Sequence, residues 1–179
     1  MDISEFIIAV LSVEPDGIDG RTVIQKLGYL ASVKIKMEAG YGPDFYGPFS
    51  PLVAAHMENL VGMDFVVEKG RRTLRDRTMY SYYLTDDGQE LAKKIKEEYP
   101  EEYSIIRNVV KKCHKIVHCN LYVLSWAAKV HFILGQTGKA ITYEKAIEVG
   151  QLFGWKLSAK KIESAVKLLL GLGLVKKEQ

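Results

Sequence analysis

Five cations crowd into ten residues of this chain: Lys69, Arg71, Arg72, Arg75 and Arg77, set against only Glu68 and Asp76. The local excess of +3 equals that of the whole 179-residue chain, so the basic character is concentrated rather than spread. Arginines on a hairpin tip can sit on phosphates or enter a minor groove, whereas the bland role for such a tip is to stay charged and unpaired in solvent. A second basic group, Lys156, Lys160, Lys161 and Lys167, flanks a stretch with helical periodicity. Lys160 and Lys161 would fall in its first turn, where they oppose the helix dipole; a bound phosphate would remove that cost. Exposed lysine is also simply common surface. These nine positions are the candidate nucleic-acid contacts.

The only other chemistry-bearing cluster is Cys113-His114 with His118-Cys119. His114 and His118 stand one helical turn apart. Cys113 and Cys119 point elsewhere on a continuous helix, so the four cannot converge without a break, and structural zinc sites usually draw on two separate ligand pairs. Buried cysteine and polar-face histidine are the expected state, and no metal or cofactor is expected. Tyr41, Tyr46, Tyr80, Tyr82 and Tyr83 could line a groove, although strand alternation puts Tyr80 and Tyr82 on one face, packed on the core. No nucleophile elbow, phosphate loop, dinucleotide fingerprint or zinc-protease helix is present, so no catalytic residue is assigned and an enzyme is not expected.

The elements that would position these residues follow from periodicity. A helix is predicted over 2–13 with Asp2 as cap, then a second from a Thr22 cap to Met37. Ser50 with Pro51 opens a third, running to Val61 with Gly62 as its left-handed end. Phe65–Val67 and Thr78–Leu84 turn β-branched and aromatic, and the basic loop between them makes a hairpin wing. Thr85 caps a fourth helix and Pro100 starts a fifth, whose apolar stripe (Ile106, Val109, Val110, Cys113, Ile116, Val117) packs on the core or meets its copy in a homodimer through 101–118. A nearly all-apolar helix over Leu121–Leu134 ends at Gly135. Helices from Thr142 and Ser158 follow, with Leu174-Val175-Lys176-Lys177 as the start of a strand.

The expected fold is therefore mainly α with small β-hairpin wings: two winged-helix-turn-helix-like units, 1–85 and 119–179, joined by connecting helices over 86–118. With 47% apolar and 26% charged residues the chain can bury a core. The acidic start does not read as a secretory signal, Leu121–Leu134 is shorter than the ~20 residues a membrane span needs, and two cysteines fit a reducing cytoplasm.

Two stretches resemble known families. Tyr83-Leu84-Thr85-Asp86-Asp87-Gly88-Gln89-Glu90-Leu91-Ala92 resembles the Leu-Thr-x-x-Gly-x-x-Leu segment that closes the wing in MarR-like and PadR-like regulators. Gly20-Arg21-Thr22-Val23-Ile24-Gln25-Lys26-Leu27-Gly28-Tyr29-Leu30, followed by Tyr46-Gly47-Pro48-Phe49-Ser50-Pro51-Leu52, is similar to the YwgA-like uncharacterised family and, more loosely, to SocA-like (Panacea) antitoxin domains. The family pattern is Leu-Gln-Lys-Leu-x-Tyr-Leu … Tyr-Gly-Pro-x-Ser; Ile24 replaces its first Leu here, and nothing beyond residue 119 is covered. The first resemblance implies a winged helix; the second implies work through protein partners.

Two functions are expected from these observations. One is a DNA-binding transcriptional regulator that contacts duplex DNA through the basic wing, with any base reading left to the second unit. The other is a protein-interaction module of antitoxin or adaptor type, with the winged-helix units as scaffolds. The third helix favours the second, because Ala54, Ala55, His56, Glu58 and Asn59 include no Lys or Arg to read bases.

Overall fold

The computed structural model describes residues 1–72, 76 and 78–176. They form eight helices and a small antiparallel sheet: α1 (Ile3–Leu11), β1 (Ile18–Asp19), α2 (Arg21–Ile35), α3 (Pro51–Gly62), β2 (Val66–Arg72), β3 (Thr78–Leu84), α4 (Asp86–Glu98), α5 (Pro100–Val117), α6 (Leu121–Thr137), α7 (Tyr143–Leu152) and α8 (Ala159–Leu172). The expected mainly helical chain with a small hairpin is therefore found. No helix among the described residues is long and apolar enough to cross a membrane.

Local chemistry explains the helix starts. Asp2 accepts the Glu5 N–H while Glu5 reaches back to the Asp2 N–H, a capping box that launches α1. Ser50 accepts from Val53 N, Thr85 from Gly88 N and Thr142 from Lys145 N, each satisfying a donor that the first helical turn leaves free. Several predicted ends move. The cap of α2 is Gly20 rather than Thr22, because the Gly20 N–H already bonds Tyr80 O and ties the helix start to the sheet. Gly62 stays helical and Asp64 takes the left-handed turn instead; α6 runs past Gly135 to Gly138.

The two-residue strand β1 has no counterpart in the periodicity of the sequence. It pairs with β3, and the sheet order is β1-β3-β2. The hairpin itself is in register from Val66↔Leu84 to Arg72↔Thr78. At the other end of the chain, Leu174–Lys176 form no strand. Gly173 is left-handed, and the Leu174 N–H turns back onto Leu169 O to close α8, which consumes a donor that a strand would have needed. Lys177 lies outside the described residues. Among those described, 119–179 is three helices.

Helix α1 is the hub, with Phe6 to Leu11 all buried against α2, α3, α4, α5 and β3. The apolar stripe of α5 is taken up within the chain: Ile106, Val109, Val110 and Cys113 are buried where α5 meets α1, α2 and α8. It therefore offers no motive for a dimer through 101–118. Residues from 1–85, 86–118 and 119–179 all join one continuous apolar core, with α6 packed on both α2 and α8.

Candidate functional site

Helix α2 buries two residues that ordinarily seek water, Gln25 and Lys26, and both hold the connection between α2 and α3. The Gln25 side-chain amide bonds Ser50 at both its N–H and C=O, each at 3.0 Å, as a neighbouring strand would. The Lys26 ammonium donates to Gly47 O (3.2 Å) and Pro48 O (2.6 Å). Ser50 Oγ donates to Ala39 O while capping α3. Burial pulls the Lys26 amine down to about 8, with Lys129 lowering it further and Asp44 partly restoring it. Gly47 is left-handed and lies so close to α6 that a Cβ there would stand 2.9 Å from Lys129 Cγ. The residues that carry the Gln-Lys…Tyr-Gly-Pro-x-Ser likeness thus act as an internal clamp.

The clamped segment forms one wall of a cleft of about 390 Å³. Ile24, Phe49, Ala54, Met57 and Val61 give it an apolar lining from α2, the clamped segment and α3. Its polar side is a network across four elements. Arg21 donates to Tyr82 Oη (2.6 Å) and Glu68 Oε2 (2.8 Å), Tyr82 Oη donates to Glu68, and Glu58 lies 3.7 Å from the guanidinium. The Tyr82 hydroxyl and the Arg21 guanidinium hold the Glu68 carboxyl below its ordinary value, and burial pushes Tyr82 up to about 12. Two carboxylates therefore face one guanidinium at this rim, and Asp44 and Lys26 also line the cleft. Sequence reading found the lysine-free character of α3. It missed the cleft, because Arg21, Glu58, Glu68 and Tyr82 are brought together from α2, α3 and both strands of the hairpin.

The predicted basic residues are distributed differently. Lys69, Arg71 and Arg72 are exposed on β2. Strand alternation puts Lys69 and Arg71 on one face and Arg72 on the other with Glu68. Lys69 Nζ stands 5.1 Å over the Tyr83 ring, and Arg72 pairs with Asp76 at 3.4 Å. Arg75 and Arg77 lie outside the described residues. Lys156, Lys160 and Lys167 are exposed, whereas Lys161 is half-buried, donates to Lys156 O and lies over Trp126. The sheet packs on α1, α2, α3 and α4, whereas α8 packs on α5, α6 and α7. Of the paired tyrosines, Tyr82 is buried as expected. Tyr80 is exposed under Arg21, because β3 projects beyond the core at that point.

The cysteine–histidine cluster resolves in a way spacing did not suggest. Cys113 is fully buried in the core. Cys119 does reach His114, because His118 (φ 50°) and Cys119 (φ 51°) are both left-handed and turn the chain back on the end of α5. Glu14, absent from sequence reading and 100 residues distant, completes the group, with Oε2 3.1 Å from His114 Nδ1. Nothing local in the sequence links Glu14 to α5; packing of α1 on α5 does.

No protein-family model and no curated protein matches the chain.

Proposed function

We propose that this chain is a protein-interaction module whose α2–α3–sheet cleft takes a segment of another protein, one that inserts an apolar side chain beside a basic residue. The cleft carries this reading: its lining is apolar, and its rim sets Glu58 and Glu68 against the single Arg21 guanidinium. Burying one large aliphatic side chain there is worth about 1.5–3 kcal/mol, and the surplus carboxylate favours a cation next to it. The likeness of residues 20–52 to SocA-like antitoxin domains supports the same direction.

The scaffold reading is a winged helix over 1–85. It is supported by the order α1-β1-α2-α3-β2-β3, with the short first strand added beside β3. In that reading α3 is the helix that would enter a major groove, and its exposed Glu58, together with Glu68 on β2, opposes phosphate there. For 119–179 the comparable reading rests on helix order alone. Duplex DNA is the second reading, favoured by exposed Lys69 and Arg71 on one face of β2. It would use phosphate contacts.

The test is fluorescence anisotropy with labelled peptides carrying Leu or Phe flanked by Arg, by Glu or by neutral residues, run beside a labelled duplex at low salt. Selective binding of the basic–apolar peptides, lost in Met57→Arg, is the expected result. Duplex binding that Met57→Arg leaves intact and Lys69/Arg71→Ala removes would replace the interaction reading with the DNA one.

A further inference from the structure

Away from the cleft, the α1–β1 connection, the end of α5 and the turn after it bring three different donor types together. A Glu14 carboxylate oxygen, a His114 ring nitrogen and the Cys119 sulfur all lie within 4.8 Å of one another. Two donors held at about 2.0–2.1 Å by one tetrahedral ion stand roughly 3.3 Å apart. The 3.1 Å between His114 Nδ1 and Glu14 Oε2 is already close to that spacing. Carboxylate, imidazole and thiolate together form a borderline-soft set, suited to zinc rather than to magnesium or calcium, which prefer oxygen alone.

We propose that Glu14, His114 and Cys119 form a three-ligand site for a zinc-class divalent cation, with the fourth position open to solvent. A cavity of about 550 Å³ opens onto all three residues and gives the ion its path and the fourth ligand its room. His118 borders the same cavity but is not in the donor set; its ring centroid is 6.3 Å from that of His114. Binding replaces the Cys119 S–H bond with a metal–sulfur bond and releases one proton to solvent, with no change of oxidation state. The ion would also tie the α1–β1 connection to the end of α5, two segments otherwise linked there by the Glu14–His114 contact.

The competing account is a plain Glu14–His114 ion pair with a bystander cysteine. The whole chain, purified without a histidine tag and stripped with chelator, is titrated with cobalt(II). The expected result is one cobalt per chain, with near-ultraviolet thiolate-to-cobalt absorption that zinc abolishes by displacement. Cys119→Ser should lose that absorption. His114→Ala and Glu14→Gln should each weaken cobalt binding more than about tenfold, the lower limit seen even for outer-sphere partners. Far-UV circular dichroism establishes that each variant is folded; all three positions lie at the surface or half-buried, outside the core. Absence of the absorption in the unmodified chain, its persistence in Cys119→Ser, or affinity unchanged in both His114→Ala and Glu14→Gln would overturn the site.

Discussion

Lys26→Met tests the clamp most directly, because opposing terms of similar size meet at one buried amine. The wild-type ammonium donates to the carbonyls of Gly47 and Pro48, and hydrogen bonds to a charged group contribute about 1.5–3 kcal/mol each. Against them stands desolvation, which takes the amine from a lysine's ordinary 10.5 to about 8 and corresponds to about 3 kcal/mol. At pH 7 the variant regains that desolvation but leaves two carbonyls without their donor, so a net loss of about 0–3 kcal/mol is expected. The pH dependence is the sharper signature. The folded value lies below the unfolded one, so between about 8 and 10.5 the unfolded chain holds more protons on this group and wild-type stability rises with pH. Cys113, Cys119 and the buried tyrosines, whose values are raised, push the other way in alkali, but they are common to both proteins and cancel in the difference. Urea unfolding of wild type and Lys26→Met at pH 7, 8, 9 and 10 should show the gap widening with pH, by up to about 3 kcal/mol in all. A gap that is constant or narrows would refute a desolvated Lys26 holding the 47–50 segment.

Two further outcomes follow from the packing. Gly88→Ala would place a Cβ 2.2 Å from Phe65 O, a backbone atom that cannot move without shifting the hairpin; a loss of about 1–3 kcal/mol is expected in thermal or urea unfolding. His131 is held below its ordinary 6.5 by burial beside Tyr29, so the unfolded chain takes up the proton first as the solution is acidified. Wild type should therefore lose stability relative to His131→Phe below about pH 6.5, and equal melting shifts of the two proteins between pH 7 and pH 5 would count against it.

The Gly88 contact also explains why the Leu-Thr-x-x-Gly stretch reads so clearly as a sequence. Thr85 must cap α4, and three residues on only a hydrogen fits beneath the strand entering the wing. Both demands are local, so both leave a local trace. Helix starts at Asp2, Ser50, Thr85 and Thr142 were legible for the same reason: a cap is a bond between residues three apart. Helix ends were less so, since α3 keeps Gly62 as its last helical residue and α6 continues past Gly135 to Thr137, where nothing in the chain forces it to stop earlier.

The candidate sites behaved differently. Basic residues at 69–72 could be counted along the strand, but whether they act together depends on which face each one takes, and alternation divides them. Gln25 and Lys26 sit in a helical pattern that says nothing about burial. They are buried because the 40–50 segment folds over them, and its carbonyls make that burial tolerable. Composition and periodicity were enough to establish a mainly helical chain with one hairpin, because burying an apolar face at 3.6- or 2-residue spacing needs no knowledge of distant partners. The cleft and the Glu14–His114–Cys119 group are pairings across dozens of residues. Such contacts arise only when α1, α2, α3, α5 and the sheet pack, and no local preference along the chain encodes which side chains then meet.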